Sequence, residues 1–420
     1  MCVHRITCLH MIIALVLLGS VLVVRGEALT REGAVALALQ NNPEIMAARA
    51  EWDAARARAR VAWAPPDPVV KAEFEELEQL SDPGDFTERS IGGVQTIESP
   101  IKWWLNHKAA DQQAMAVHAA VFQLARLDVA TRVEVAFDRV LSRQQVLTFE
   151  TQHVSLLQDF ARRVRLRHEA GDVPELEMLR SGVEAGRAAS RVAATSNELS
   201  VARSQLNALL AQDNITALEL QGSLSHSDVS LQLEDAQTLG LLHRPDLQGA
   251  LYEVESRRSR RGAVRAGLFP DLSVGVFRQT LRNAGAEEGR WRLAVNLEIP
   301  LWGGIRQRGN LAEARAEVVV AKADAERLRR QVVLEIQTSY QDLMTAADQV
   351  SLFDERILHG AEQAQAAAAR SYDEGKVSYL DVLSTQRTLL ETRVEYADIL
   401  FTYREALAAF KGAIGGELPE

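Results

Sequence analysis

Apolar positions in this chain follow two rhythms, one with a repeat of seven and one with a repeat of two, and each predicts a different element. From Trp103 to His168 there is neither proline nor glycine over about 65 residues, roughly 100 Å of helix at about 1.5 Å per residue. Val133, Ala136, Val140, Leu147, Val154, Leu157, Ala161 and Val164 advance by threes and fours, with Arg143 and Glu150 in the two slots that break the seam. That spacing draws a narrow apolar stripe down one helix face, as in a coiled coil. Soluble helices average about 11 or 12 residues, so this chain is built for length.

Asn310 to Glu374 makes the same demand, with Gly360 its one glycine. Ile336, Tyr340, Leu343, Ala347, Val350, Ile357, Ala361, Ala364 and Ala368 carry the stripe. An offset of 203 pairs Val133 with Ile336, Phe137 with Tyr340, Val140 with Leu343, Leu147 with Val350, Val154 with Ile357 and Ala161 with Ala364. Shared register over so many turns is an internal repeat. The short segments ahead repeat too, at an offset of 202: Leu239 and Leu241 match Leu37 and Leu39, Pro245-Asp246 matches Pro43-Glu44, and Pro270 matches Pro68. In the first copy Thr30 is a helix N-cap, and Pro65, Pro66 and Pro68 stop an alanine- and arginine-rich helix.

After each proline stop the period falls to two, which means strand. Val70, Ala72 and Phe74 alternate with Lys71, Glu73 and Glu75, and after a polar loop at Ser81-Asp82-Pro83-Gly84-Asp85 a second run covers Ile91 to Ser99. In the second copy Leu272, Val274 and Val276 alternate with Ser273 and Gly275. Beyond Asn283-Ala284-Gly285, the residues Trp291, Leu293, Val295, Leu297 and Ile299 alternate with Arg290, Arg292, Ala294, Asn296 and Glu298. Runs of about 9 to 11 residues suit a tilted transmembrane strand, and equally a small soluble sheet packed on the helices. The leader described below favours the first, as does a face that is apolar throughout. Four strands cannot close a barrel, and an open edge in lipid leaves backbone groups unpaired at several kcal/mol each, so the membrane reading requires several chains.

The predicted organisation is a signal peptide at 1–26 and a first repeat at 27–212, with strands about 69–78 and 90–99, a long helix 103–168 and a returning helix 175–212. A polar linker 213–232 leads to a second repeat at 233–420, with strands about 271–281 and 290–299, a long helix 304–374 and a returning helix 379–414. Gly182 and Gly186 are expected to loosen the first returning helix.

Composition narrows the class. His4 and Arg5 precede an apolar run from Leu9 to Val24 and then small residues, too short to span as a helix and patterned as an export signal. Both cysteines, Cys2 and Cys8, lie inside it, so the mature chain has no disulfide or thiol chemistry. Losing Arg5 and Arg25 takes the formal net charge from −10 to −12, which argues against nucleic acid. Aromatic residues are scarce, at 5%, which fits long helices with thin seams.

The duplicated order of helix, strand pair, long helix, tight turn and returning helix resembles the TolC-like outer-membrane efflux family over the whole mature length. Local motifs carry the same resemblance: Leu37-Ala38-Leu39-Gln40-Asn41-Asn42-Pro43-Glu44, the corner Pro300-Leu301-Trp302-Gly303-Gly304, and the turn Ala369-Arg370-Ser371-Tyr372-Asp373-Glu374-Gly375-Lys376-Val377-Ser378-Tyr379-Leu380-Asp381-Val382-Leu383. It implies a mainly α fold with a small membrane β part: long coiled-coil helices forming a periplasmic α-barrel, and four strands per chain in a twelve-stranded barrel of a homotrimer. It implies outer membrane lipids around the barrel, and a periplasmic adaptor (membrane fusion) protein and an inner-membrane pump, of the RND type, as partners. Gln95-Thr96-Ile97-Glu98-Ser99-Pro100-Ile101-Lys102 is similar to the corner of the CzcC-like branch for heavy-metal cations, with Ile101 in place of a glycine and Trp103 of an arginine.

The resemblance also implies a pore constriction at Glu177 and Asp381, with Tyr372 in a bridging network, Ser384 where relatives often carry a second acid and Val377 where a bridging arginine can stand. A ring of carboxylates favours cations; alternatively both are exposed turn acids, with Asp381 capping its helix. The turns Gly171, Asp172, Val173 and Gly375, Lys376, Val377 would dock the adaptor. No catalysis, cofactor or metal site is expected: His107 and His118 are three helical turns apart and read as exposed, and no Cys/His cluster has ligand spacing. Arg257, Arg258, Arg260, Arg261 and Arg265 read as a solvated helix face, with a lipid-phosphate contact as the alternative. The competing functions are a periplasmic adaptor, which has one helical hairpin, and a coiled-coil scaffold, which leaves the strands unexplained.

Overall fold

The computed structural model describes residues 28–75, 86–227, 229–283, 286–299, 303–374 and 376–418. The signal segment, the 81–85 loop, the turn at 284–285, the 300–302 corner and Gly375 lie outside them. Thr30 opens α1 (Arg31–Asn41) by accepting from the Gly33 amide at 3.1 Å, and Asn42 caps α2 (Pro43–Val61) through the Glu44 amide at 2.8 Å. Strands β1 (Val69–Glu75) and β2 (Glu88–Ile97) follow, then α3 (Pro100–Val117) with proline at its first turn, where a missing N–H costs nothing. One π-helical turn (His118–Gln123) joins α3 to α4 (Leu124–Glu169), and α5 (Glu175–Leu209) returns, unbroken at Gly182 and Gly186. A continuous helix there corrects the expected loosening: flanking alanines and arginines sustain it at a cost of about 1 kcal/mol per glycine.

The second copy gives α6 (Leu233–His243), α7 (Pro245–Ala266), β3 (Asp271–Asn283), β4 (Ala286–Glu298), α8 (Gly303–Leu352), a π-helical turn (Phe353–Leu358), α9 (His359–Asp373) and α10 (Tyr379–Ile414). That second π turn revises the register. A π turn inserts one residue, and beyond it the tip glycines Gly171 and Gly375 stand 204 apart rather than 203. The stripe expected at Ile357 and beyond is accordingly not buried within the chain, whereas Val332, Ile336, Leu343 and Val350 above it are.

The sheet runs β1-β2-β3-β4, antiparallel throughout, so the β2–β3 pairing joins the two copies. Strand pairing sets Leu293 opposite Val276, Val295 opposite Val274, and Leu272 between Leu297 and Ile97. Alternation then collects Val70, Ile91, Ile97, Val276, Trp291, Leu293, Val295 and Leu297 on one face, and it is bare: Trp291 is 73% exposed and Leu293 68%. A soluble sheet packed on its helices would have covered that face. The other face carries Lys71, Glu73, Ser90, Thr96, Ser273, Arg292 and Asn296. On it the Phe277 ring lies across two glycines, where a Cβ on Gly92 would come within 2.6 Å and one on Gly275 within 2.7 Å of the ring. Arg292 covers that ring at 4.7 Å and reaches Glu73 at 3.4 Å.

Towards the sheet, α3 packs between α2 and α7, and α7 against α8. Towards the far end, α4 lies between α5 and α10, and α10 packs on α8 and α9. The main core sits where these layers meet: Val129, Val133, Phe137 and Val140 of α4, Leu206 of α5, Ile336 and Leu343 of α8, and Tyr403 and Phe410 of α10. Ala34, Ala38 and Ala236 of the short helices close it. No described helix is long and apolar enough to cross a membrane.

Candidate functional site

The far ends of the rods bring together most of the expected site residues. After α4 the chain turns on Gly171, whose φ of +85° is left-handed and favours glycine, and the Asp172 amide donates back to the Arg167 carbonyl at 2.8 Å. His168 Nδ1 lies 3.0 Å from the Val173 carbonyl and holds the turn from inside. Glu177 follows in the first turn of α5, half-buried. The second tip is built differently. Lys376 pairs with Glu374 at 2.6 Å, and Ser378 caps α10 in a two-way box with Asp381.

In that box the Asp381 carboxylate accepts from the Ser378 hydroxyl at 2.8 Å and from its amide at 2.9 Å. These two donors hold the carboxyl below the usual Asp value while it remains fully exposed. Asp381 is thus a helix cap and a charged group at the tip at once. Tyr372 joins the two tips: its hydroxyl accepts from Arg167 Nη1 at 3.2 Å, and its ring lies 6.2 Å from that of Phe160. Phe160 and Val164 of α4 form a small buried cluster with Val173, Met178, Tyr372 and Leu383 packed against it. The sequence reading missed Arg167 and Phe160; Phe160 sits four residues before Val164 on the apolar stripe, a visible signal, whereas Arg167 was one arginine among many.

Above the tips, ion pairs lace the rods. Arg143, the residue that breaks the seam of α4, reaches Glu198 of α5 at 3.3 Å and Asp398 of α10 at 2.9 Å. Arg393 of α10 pairs with Glu362 of α9 at 2.8 Å, and the Tyr396 hydroxyl donates to Asp354 at 3.2 Å. In the main core Asp138 is 1% exposed and bound by Arg31 and by Arg404, the latter at 3.0 Å.

Two expectations fail. His107 is buried rather than exposed, because Trp63, just beyond α2, covers it at a tilt with ring centroids 3.4 Å apart and Asp111 holds its Nε2 at 2.7 Å. His118 is half-buried against Trp52 at 4.4 Å. The basic run is the solvated face expected of it at Arg258, Arg260, Arg261 and Arg265, which are exposed, while Arg257 is half-buried and tied to Glu253 and Glu317. Among the described residues no group of three His, Cys, Asp or Glu side chains could hold a metal ion.

Residues 238–416 match the family model of the outer membrane efflux proteins. The cobalt-zinc-cadmium resistance protein CzcC of Cupriavidus metallidurans is 27% identical over 380 residues, covering 87% of this chain and 85% of the relative. The cation efflux system protein CusC of Escherichia coli is 25% identical over 295 residues, covering 69% and 62%. Among solved structures, the outer-membrane channel OprN superposes with a TM-score of 0.76 at 19% identity, over 92% of this chain and 90% of that one. CusC superposes with a TM-score of 0.75 at 21% identity, over 92% of each chain. With the duplicated rods and the bare apolar sheet face in hand, the chain is similar to the outer membrane efflux proteins through residues 238–416 and shares the fold of the solved outer-membrane channels over nine-tenths of its length.

Proposed function

We propose that three copies of this chain form a passive exit duct in the outer membrane, fed by a periplasmic adaptor and an inner-membrane pump of the RND type. The observation that carries it is the four-stranded sheet with an apolar face exposed and two free edges, β1 and β4. Unpaired edges are costly in lipid, and three such sheets joined edge to edge make a twelve-stranded closed barrel with the charged face inward. The helices offer matching free flanks, α2 and α5 on one side and α8 with α9 on the other, with Met46, Val183, Val201, Val320 and Leu334 exposed on them. The cargo we propose is a heavy-metal cation, since CzcC and CusC are named for cobalt, zinc, cadmium and cation efflux. Glu177 and Asp381 would ring the narrow end with carboxylate, the Arg167–Tyr372 bond would keep it shut, and the turns at 171–173 and 375–377 would meet the adaptor.

Native mass spectrometry of protein extracted from outer membranes should give three times the mature chain mass, and a monomer would overturn the duct. In planar bilayers Tyr372→Phe should raise mean conductance several-fold. Asp381→Asn with Glu177→Gln should lower the preference for cations over anions; unchanged currents would remove the gate. The adaptor reading fares worse, because a single hairpin does not account for two rod pairs and a bare apolar sheet.

A further inference from the structure

The apolar face of the sheet ends in arginine. Alternation places Arg89 on β2 and Arg278 and Arg282 on β3 on the same face as Val276, Leu293 and Val295, at the end away from the helices. Glu73, Glu75, Glu88 and Glu288 stand on the opposite face at that end. The inner face there is mixed, Arg290 pairing with Glu288 at 2.8 Å and Arg292 with Glu73 at 3.4 Å, whereas the outer face is basic, with Glu287, paired to Arg282 at 3.0 Å, as its carboxylate among the described residues. Arg89 and Arg278 have no carboxylate partner among the described residues.

Aromatic rings seat the three guanidiniums. Phe86 is buried with Arg89 over it at 4.8 Å and Arg282 at 4.6 Å, and Phe74 meets it edge-on at 6.4 Å. Arg278 lies over Trp291 at 5.5 Å, in room left by Gly289, where a Cβ would collide with the guanidinium. From Ile299 to Trp291 the apolar run spans about 26 Å of strand at about 3.3 Å per residue, which at the usual strand tilt of about 40° covers about 20 Å of the roughly 25 Å apolar band of outer-membrane barrels. The arginines thus sit just above the hydrocarbon, at headgroup level, with apolar side chains directly below them.

We infer that Arg89, Arg278 and Arg282 form a binding site for the phosphate-bearing headgroup of an outer-leaflet glycolipid whose acyl chains lie along Val276, Leu293 and Val295. Guanidinium is the side chain suited to two-point binding of phosphate, and stacking on a ring holds it ready. The site rests on the membrane reading above.

Full-length protein from outer membranes is tested by native mass spectrometry against diphosphoryl lipid A, monophosphoryl lipid A, phosphatidylethanolamine and inorganic phosphate. Diphosphoryl lipid A should be retained at least tenfold over phosphatidylethanolamine and several-fold over the monophosphoryl form. R89Q/R278Q/R282Q should lower its retention at least fivefold at unchanged oligomeric mass, with R89K/R278K/R282K in between. Equal retention by the glutamine variant, or inorganic phosphate competing as well as lipid, would overturn the site. Should the glutamine variant fail to assemble, equal retention of the mono- and diphosphoryl forms by the wild-type protein would do the same. A chain missing from the membrane fraction altogether would instead overturn the membrane reading itself.

Discussion

The buried arginine Arg244 shows how one local problem is solved twice. Each copy starts its second short helix with an acid, Glu44 or Asp246, and each acid is held by arginine. In the first copy that arginine is Arg132 of the long helix, and the capping position is Asn42, which donates to the Leu209 carbonyl at 3.0 Å. In the second copy the capping position itself is Arg244, which binds Asp246 and Glu335 at 2.9 Å each and reaches the Ala413 carbonyl at 3.4 Å. Glu335 is the counterpart of Arg132, so the positive charge has moved across the contact and a negative one has replaced it. The two should differ in worth. Arg244 is 8% exposed, and Arg244→Met, which strands its carboxylates, should cost about 2–3 kcal/mol. Arg132 is more open, and Arg132→Met should cost less than about 1 kcal/mol. Thermal unfolding of the two variants in detergent, followed by circular dichroism, checks the order; equal losses would refute it.

At the scale of elements, rods and strands were legible from period alone, because a bare or buried face repeats its pattern over many residues. Strand ends were less so: β2 begins at Glu88 rather than near residue 90, since pairing with β3 extends the ladder past the apolar alternation. The π turns were invisible, as one inserted residue leaves no mark in composition, and at the tips the resemblance named Tyr372 but not the Arg167 it meets. Ring-over-glycine packing was equally hidden, since Gly275 read only as a polar-face position. Gly275→Val should drive the Phe277 ring off its glycine seat at about 1–3 kcal/mol, lowering the thermal midpoint of the protein in detergent. Adding Phe277→Ala should recover part of the loss, and a double variant no better than the single would disprove the packing. The α4–α5 pair carries a pH dependence of its own. Burial first, and then the charge of Arg191, hold His153 of α4 below the ordinary histidine value of 6.5, with Glu184 opposing. Below about pH 6.5 the unfolded chain takes a proton that the folded one refuses, so stability falls with acidification. His153→Leu should flatten the loss between pH 6.5 and 5, measured by thermal midpoints; an unchanged slope would show that His153 titrates normally.

For the whole molecule, the rods are held by a wide central core, by close helix packing and the paired strands on the sheet side, and by a small cluster at the tips. Phe137, Tyr403 and Phe410 are wholly enclosed where α4, α8 and α10 meet, whereas the tip cluster has Phe160 and Val164 as its buried members. The π turns fall at unlike places in the two copies, near the sheet at His118–Gln123 and near the tip at Phe353–Leu358. Each insertion shifts one rod against its twin, and the two tips end in different chemistry, Gly171-Asp172-Val173-Pro174 in one and Lys376-Val377-Ser378 in the other. In the trimer proposed above, a ring of three chains would offer six loops of two alternating kinds. Anything gripping such a ring would meet threefold symmetry in place of sixfold. Its natural stoichiometries would be three identical grips, or six in two unequal sets.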